Sequence, residues 1–429
     1  MKLLLLAALA APPASIADTV PRITLSEALT KAARLDPDYV RALGDVDNAA
    51  WARRAARSAM ILPSLNVSTD YTKFSRDQFN VGIGAPTRTS ATARIDARFE
   101  VFTGFRKLSE VARTNADLEA ANAGREQQRF LTALGTEADF YAVLSNRELL
   151  DVSRDRVRRA EEQLVVARAR VLSGAAVQTD SLQLLLELNR ARISLLQDEA
   201  SLRVARLLLG RRVGIAGGVD AVPLDTARAP DLPLSLPDAM TLALEQGPEY
   251  RVARANQRSA EAAVRGARSR YFPQAVLTAN NVTFGDNFYP HGLTRSTVTL
   301  QVSFPLWDNA QRELALARAR TTRDLTRAIR EDLERTAEAD VTEAWEAYQT
   351  ARVTTDYSAQ GLIIARETFR VQEARYRAGA STILDLLDAQ SALTQAQAEL
   401  VQARYAARLA LAGLEAILGR RLFSDKDPS

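Results

Sequence analysis

Ile23-Thr24-Leu25-Ser26-Glu27-Ala28-Leu29, followed by Asp36-Pro37-Asp38-Tyr39, returns later in the chain as Leu234-Ser235-Leu236-Pro237-Asp238-Ala239-Met240 and Gly247-Pro248-Glu249-Tyr250. Three further landmarks repeat in the same order. Ile61-Leu62-Pro63 matches Tyr271-Phe272-Pro273, Arg170-Val171-Leu172-Ser173-Gly174-Ala175 matches Arg375-Tyr376-Arg377-Ala378-Gly379-Ala380, and Leu209-Gly210-Arg211-Arg212 matches Leu418-Gly419-Arg420-Arg421. Matching positions stay about 205 to 211 residues apart, so the chain is two copies of one unit. The reading is a first repeat over 18–215, a Gly- and Pro-rich linker over 216–233 and a second repeat over 234–429.

Each copy has the same plan. A helix is expected from about Ser26 to Met60 and again from Leu236 to Arg270, dented at Pro37 and Pro248. Each ends at Pro63 or Pro273, because proline disfavours the helical region for its predecessor. Strands follow. Ala91, Ala93, Ile95, Ala97, Phe99 and Val101 alternate with Thr92, Arg94, Asp96, Arg98 and Glu100. Val298, Leu300, Val302 and Phe304 alternate with Thr297, Thr299, Gln301 and Ser303. An apolar face of this kind points either at a soluble core or at lipid, and alternation alone does not separate the two. Each run is about 10 residues, enough to cross a bilayer when tilted. Two strands per copy give four, too few to close a barrel, so closure needs several protomers. Tyr71, Phe74, Phe79, Phe284, Phe288 and Tyr289 near the strand ends fit either an interfacial girdle or loop packing.

Very long helices come next. No proline occurs between Pro86 and Pro223 or between Pro305 and Pro428. From Phe105 to Ser173 the chain is rich in Ala, Arg, Glu, Leu and Gln, with Gly124 and Gly135 the weak points. Such a helix spans on the order of 100 Å and needs coiled-coil-like partners. Leu182, Leu185, Leu186, Ile193 and Leu196 form a stripe that faces one. Gly174 and Gly379 stand where the chain reverses, which makes each copy a long helical hairpin.

The first residues add a destination. Met1-Lys2, the Leu- and Ala-rich run to Ala11 and Ser15-Ile16-Ala17 read as a signal peptide over 1–17, cut before Asp18. With no Cys and a single His, disulfides, thiolate metal sites and a lipid-modified cysteine are excluded. A formal charge of +4 over 429 residues carries no nucleic-acid footprint. The sequence holds no nucleotide loop, metal cluster or nucleophile–base set, in agreement with the non-enzymatic, cofactor-free role that the family resemblance below implies.

These residues resemble the TolC family of outer-membrane efflux proteins over almost the whole mature chain, Ile23 to Arg421. The marks are the duplicated entry segment, the Pro63 and Pro273 junctions and Phe304-Pro305-Leu306-Trp307-Asp308 leading into a helix. The most specific is Ala374-Arg375-Tyr376-Arg377-Ala378-Gly379-Ala380-Ser381-Thr382-Ile383-Leu384-Asp385-Leu386-Leu387-Asp388-Ala389. The resemblance implies an α+β membrane protein, a homotrimer with a twelve-stranded transmembrane β-barrel, four strands per protomer, continued by a long α-helical coiled-coil barrel. It implies a passive outer-membrane duct of a Gram-negative cell, extending into the periplasm, for a tripartite efflux pump or type I secretion system. The partners implied are a periplasmic adaptor (membrane fusion) protein, an inner-membrane transporter and outer-membrane lipid. The rival reading is a periplasmic structural coiled-coil protein without a pore.

Three groups of residues carry over. Asp385 and Asp388 match aspartates ringing the narrow periplasmic entrance, although Thr382 and Asp385 also have the spacing of a capping box. Thr179, Asp180 and Tyr376 match residues that latch neighbouring hairpins, with Ser381 standing where a latching arginine is expected. Gly174, Ala175, Gly379 and Ala380 match hairpin turns that meet the adaptor.

Overall fold

Residues 20–224 and 230–423 are described in a computed structural model of the chain. The signal peptide expected over 1–17 lies outside the described residues. The elements in order are β1 (Arg22–Ile23), α1 (Leu25–Leu35), α2 (Pro37–Ile61), β2 (Ser64–Asn80), β3 (Ala85–Phe102), α3 (Arg106–Leu172), α4 (Gln178–Val213) and β4 (Asp220–Ala221). Then come α5 (Leu236–Gln246), α6 (Pro248–Arg268), β5 (Gln274–Gly285), β6 (Thr294–Ser303), α7 (Gln311–Arg377) and α8 (Ile383–Leu418).

The entry segments form two helices each, not one dented helix. Thr24 caps α1 by accepting from the Glu27 amide, and Ser235 caps α5 in a capping box with Asp238. Asp36 (φ −66°, ψ 117°) and Gly247 (φ −54°, ψ 128°) then leave the helical region, because the prolines that follow exclude it. α3 and α7 each run 67 residues. Gly124 and Gly135 do not break α3, since one glycine costs only about 1 kcal/mol against a long run of good helix formers.

The chain divides into two compact units that cut across the repeats. One holds residues 1–36, 133–229 and 350–409, and the other 37–132, 230–349 and 410–429. In the first unit, one core gathers Ile23, Phe140, Val143, Leu209, Val219 and Tyr405. A second joins Leu164, Leu184, Phe369, Tyr376, Leu386 and Leu393 from all four long helices. The stretch read as a plain linker is anchored here: β4 pairs in parallel with β1, Arg22 opposite Asp220 and Ile23 opposite Ala221. Asp220 is clamped by Arg147 and by Arg206 at 3.0 Å, and Arg147 also donates to the Ala221 carbonyl at 3.0 Å.

The second unit carries an antiparallel four-stranded sheet in the order β2-β3-β5-β6. Its strands run 17, 18, 12 and 10 residues, so the first hairpin is longer than the sequence suggested. Register places Val67 beside Ile95, Leu65 beside Ala97, Leu277 beside both Phe99 and Leu300, and Ala279 beside Val298. Those residues share one face. Ser68, Arg94, Val282 and Arg295 form a row on the other, as do Ser64, Arg98, Thr278 and Thr299. The period-two pattern therefore makes one face mainly apolar, broken beside Ile95 by Asn281, which donates to the Ser296 hydroxyl at 2.9 Å, and the other mainly polar. All ten residues of β6 are exposed, and β2 and β6 leave the sheet with two open edges. No described helix is long and apolar enough to cross a membrane. At the far end Tyr71, Phe288 and Tyr289 form a ring chain, with centroids 6.5 and 5.3 Å apart.

Candidate functional site

Both hairpins of the first unit reverse through the same backbone motif. Gly174 (φ 73°) and Gly379 (φ 79°) take the left-handed conformation that glycine adopts at no steric cost. The Ala175 and Ala380 amides then reach back to the Arg170 and Arg375 carbonyls, each at 2.8 Å. The arginine side chains close the same turns, Arg170 donating to the Ala175 carbonyl at 3.4 Å and Arg375 to that of Ala380 at 3.3 Å. Gly174, Ala175, Gly379 and Ala380 are all exposed. At the first tip Leu172 is 89% exposed and Val177 63%, two apolar side chains that motif reading passed over.

Tyr376 is buried in the core shared by the four helices. Its hydroxyl has no hydrogen-bond partner among the described residues. Burial and the nearby Asp180 carboxylate push its pKa up, against the pull of Arg170. Asp180 is thus near enough to act on the Tyr376 hydroxyl, but no hydrogen bond joins the two among the described residues, and Thr179 is exposed. Arg170 makes the link instead. It donates to the Tyr376 carbonyl and lays its guanidinium 4.7 Å from the centre of the Tyr376 ring. A Cβ added at Gly379 would meet the same guanidinium at 3.5 Å, so Arg170 of one hairpin lies against the tip of the other. Sequence reasoning noted Arg170 only as half of a repeated motif. Ser381 turns back onto its own hairpin, its hydroxyl 3.5 Å from the Gln372 carbonyl.

Asp385 and Asp388 lie one turn apart and exposed at the start of α8, while Ile383, Leu386 and Ala389 face the core. Asp385 completes a capping box: its carboxylate accepts from the Thr382 amide at 2.9 Å and hydroxyl at 2.8 Å, and its amide donates to the Thr382 hydroxyl at 3.2 Å. Those bonds hold its carboxyl below the usual range.

The sequence profile of the family described as "Outer membrane efflux protein" matches residues 28–214 and 239–420, one segment in each repeat. The chain belongs to this family. It is 28% identical over 396 residues to the pyoverdine export outer membrane protein OpmQ of Pseudomonas aeruginosa, covering 87% of this chain and 81% of that one. Its fold superposes on the Campylobacter jejuni CmeC outer membrane channel with a TM-score of 0.78 at 14% identity, covering 94% and 87% of the two chains. A structure of CusC, described in terms of folding and transmembrane channel formation, gives 0.79 at 18% identity, with 92% of each chain covered. The fold class is the one the sequence pointed to, that of trimeric outer-membrane channels with a β domain and a helical barrel. This efflux protein is an outer-membrane channel, and its family is one of transport.

Proposed function

We propose that this efflux protein is a passive exit duct in which three copies close one twelve-stranded barrel, gated at the hairpin tips. The observation that carries the reading is the sheet: four strands, one mainly apolar face and two open edges. In hydrocarbon, unpaired edge amides and carbonyls cost several kcal/mol each, so the edges must meet those of further copies. The apolar stripe on α4 supports the same assembly. Leu182 (56%) and Leu196 (63%) stay exposed while Leu184 and Leu188 are buried, leaving a face for a neighbouring helix.

At the tips, Asp385 and Asp388 of three protomers ring the entrance, and six carboxylates around one opening favour cations. Arg170, Asp180 and Tyr376 hold the two hairpins of each protomer together, with Thr179 at the same level. Gly174, Ala175, Gly379 and Ala380, beside the exposed Leu172 and Val177, are the docking surface for a periplasmic adaptor. That adaptor couples the duct to an inner-membrane transporter, and the barrel sits in outer-membrane lipid. The substrates enter from the pump and leave outside the cell.

The test is assembly and conductance together. Protein extracted from outer membranes is expected to run as a trimer in mild detergent and to give discrete conductance steps in a planar bilayer. A monodisperse monomer without conductance would sink the duct.

A further inference from the structure

The turns that lead from β3 into α3 and from β6 into α7 share a backbone device. Gly104 and Phe105 sit at φ 61° and 70°, and Asn309 and Ala310 at 55° and 61°. Left-handed positions suit Gly and Asn, and a bulky residue there is an outlier. The second turn is made with Asn and Ala, so the backbone does not call for an aromatic ring in the first. Phe105 is therefore held in a strained position for what its side chain does. Its ring is 55% exposed, yet meets Phe102 edge-on at 5.5 Å and Phe272 at 5.8 Å. Gly104 permits this approach, because a Cβ there would lie 2.4 Å from the Ser269 carbonyl and 2.7 Å from the Phe272 Cβ.

Beside these rings lies a cleft of about 340 Å³ lined by Phe105, Leu108, Phe272, Arg265 and Arg268 among others. It continues the apolar face of the sheet. Phe102 pairs with Ala275, and two residues on, Leu277 pairs with Phe99 on that same face. Lys107 caps the edge, its ammonium 4.5 Å from the centre of the Phe99 ring. Arg265 and Arg268, one turn apart on α6, are exposed and have no hydrogen-bond or ion-pair partner among the described residues. On the same helix Arg258 pairs with Glu119 at 2.7 Å. Two free guanidiniums above a greasy, aromatic-walled cleft match one kind of molecule. The phosphodiester of a lipid takes charge-assisted bonds from planar guanidiniums, and its upper acyl carbons fill the apolar wall.

We propose that this cleft binds an anionic glycerophospholipid of the periplasmic leaflet, one per protomer, with its phosphate on Arg265 and Arg268 and its acyl chains against Phe105, Leu108 and Phe272. The inference rests on the reading of the sheet as an outer-membrane barrel segment. The purified, detergent-solubilised protein would be titrated with dioleoylphosphatidylglycerol and followed by native mass spectrometry. Dioleoylphosphatidylcholine and inorganic phosphate serve as parallel probes. We expect saturable phosphatidylglycerol binding, at least about tenfold weaker in the double variant Arg265→Gln, Arg268→Gln. Phe105→Ala is expected to weaken lipid binding as well without lowering the melting temperature, since Ala310 fills the equivalent position. Unchanged phosphatidylglycerol binding in both variants overturns the proposal. So does displacement of the lipid by inorganic phosphate at equal concentration, or equal binding of phosphatidylcholine. Bilayer conductance of the same samples separates the failures: a silent wild type removes the barrel reading, whereas normal conductance with unaltered lipid binding in the variants removes only the lipid site.

Discussion

Replacing Arg170 by alanine removes a side chain that ties the two hairpins of a protomer at their tips. Its bond to the Tyr376 carbonyl is charge-assisted, a class that contributes about 1.5–3 kcal/mol. A cation over an aromatic ring at a half-exposed site adds about 0.5–1 kcal/mol. The contact with the Ala175 carbonyl, at 3.4 Å, lies at the limit of a hydrogen bond and is given no weight. Since Arg170 is itself half-exposed, the lower ends apply, and the loss is about 2 kcal/mol per protomer. That is roughly a 30-fold shift toward separated hairpins in each protomer, and about 10⁴-fold if three protomers open as one. The assay is single-channel recording of the purified trimer, reading closed dwell times. Arg170→Ala is expected to shorten them by one to several orders of magnitude, and Arg170→Lys to recover less than half of the effect, because an ammonium lacks the planar fork. Closed dwell times indistinguishable from wild type in Arg170→Ala, with the trimer intact, would refute the clamp.

Asp220→Ala strands Arg147 and Arg206 at the β1–β4 pair and is expected to cost about 2–3 kcal/mol, below the full buried-pair figure because both guanidiniums reach water. Burial alone would raise the Asp220 carboxyl, but bonds to Arg147 and Arg206 outweigh it and hold the pKa low. That stabilisation is present above the unfolded value of about 3.9 and disappears as pH falls through the folded one, so wild type loses melting temperature below about pH 4 and the variant loses less. Single cysteines along β3 in liposome-reconstituted protein are expected to react with a water-soluble maleimide at positions 94, 96 and 98 and poorly at 95, 97 and 99; uniform labelling would remove the lipid-facing assignment. Asp385→Asn with Asp388→Asn keeps a capping residue type on α8, so assembly is expected to persist while cation selectivity and block by multivalent cations fall; unchanged selectivity and block would leave Asp385 as a cap alone and Asp388 without a role at the entrance.

What the sequence made legible is what repeats locally. The period of two placed Ile95 and Phe99 on one face and Arg94 and Arg98 on the other, and register carried that division across all four strands. The glycines at 174 and 379 announced the turns, and Thr382 with Asp385 announced the cap. Features made by distant partners left no such trace. Arg170 meets Tyr376 from 206 positions away, in a helix so rich in arginine that no single one stands out. The β1–β4 pair is two residues long, too short for any period to register. The break at Asp36 was visible as a proline, but a dent and a full interruption differ only in whether the preceding residue leaves the helical region, which is decided by packing.

The tip core has a further property that bears on gating. Gln163 and Gln390 are buried there, and in each both side-chain polar atoms lack a protein partner, as does the Tyr376 hydroxyl. A buried polar group left without a partner costs about 1–3 kcal/mol. These groups sit at the end of the helices where the proposed gate would separate the hairpins. Burying them lowers the stability of the tip core, and in the proposed gate their exposure on opening would return that cost. In the proposed gate, a contact worth about 2 kcal/mol, such as that of Arg170, would then be large enough to shift the population of the two states. In the same proposal, a fully apolar tip would be held closed by its own core, and an adaptor docking at Gly174 and Gly379 would have more to overcome.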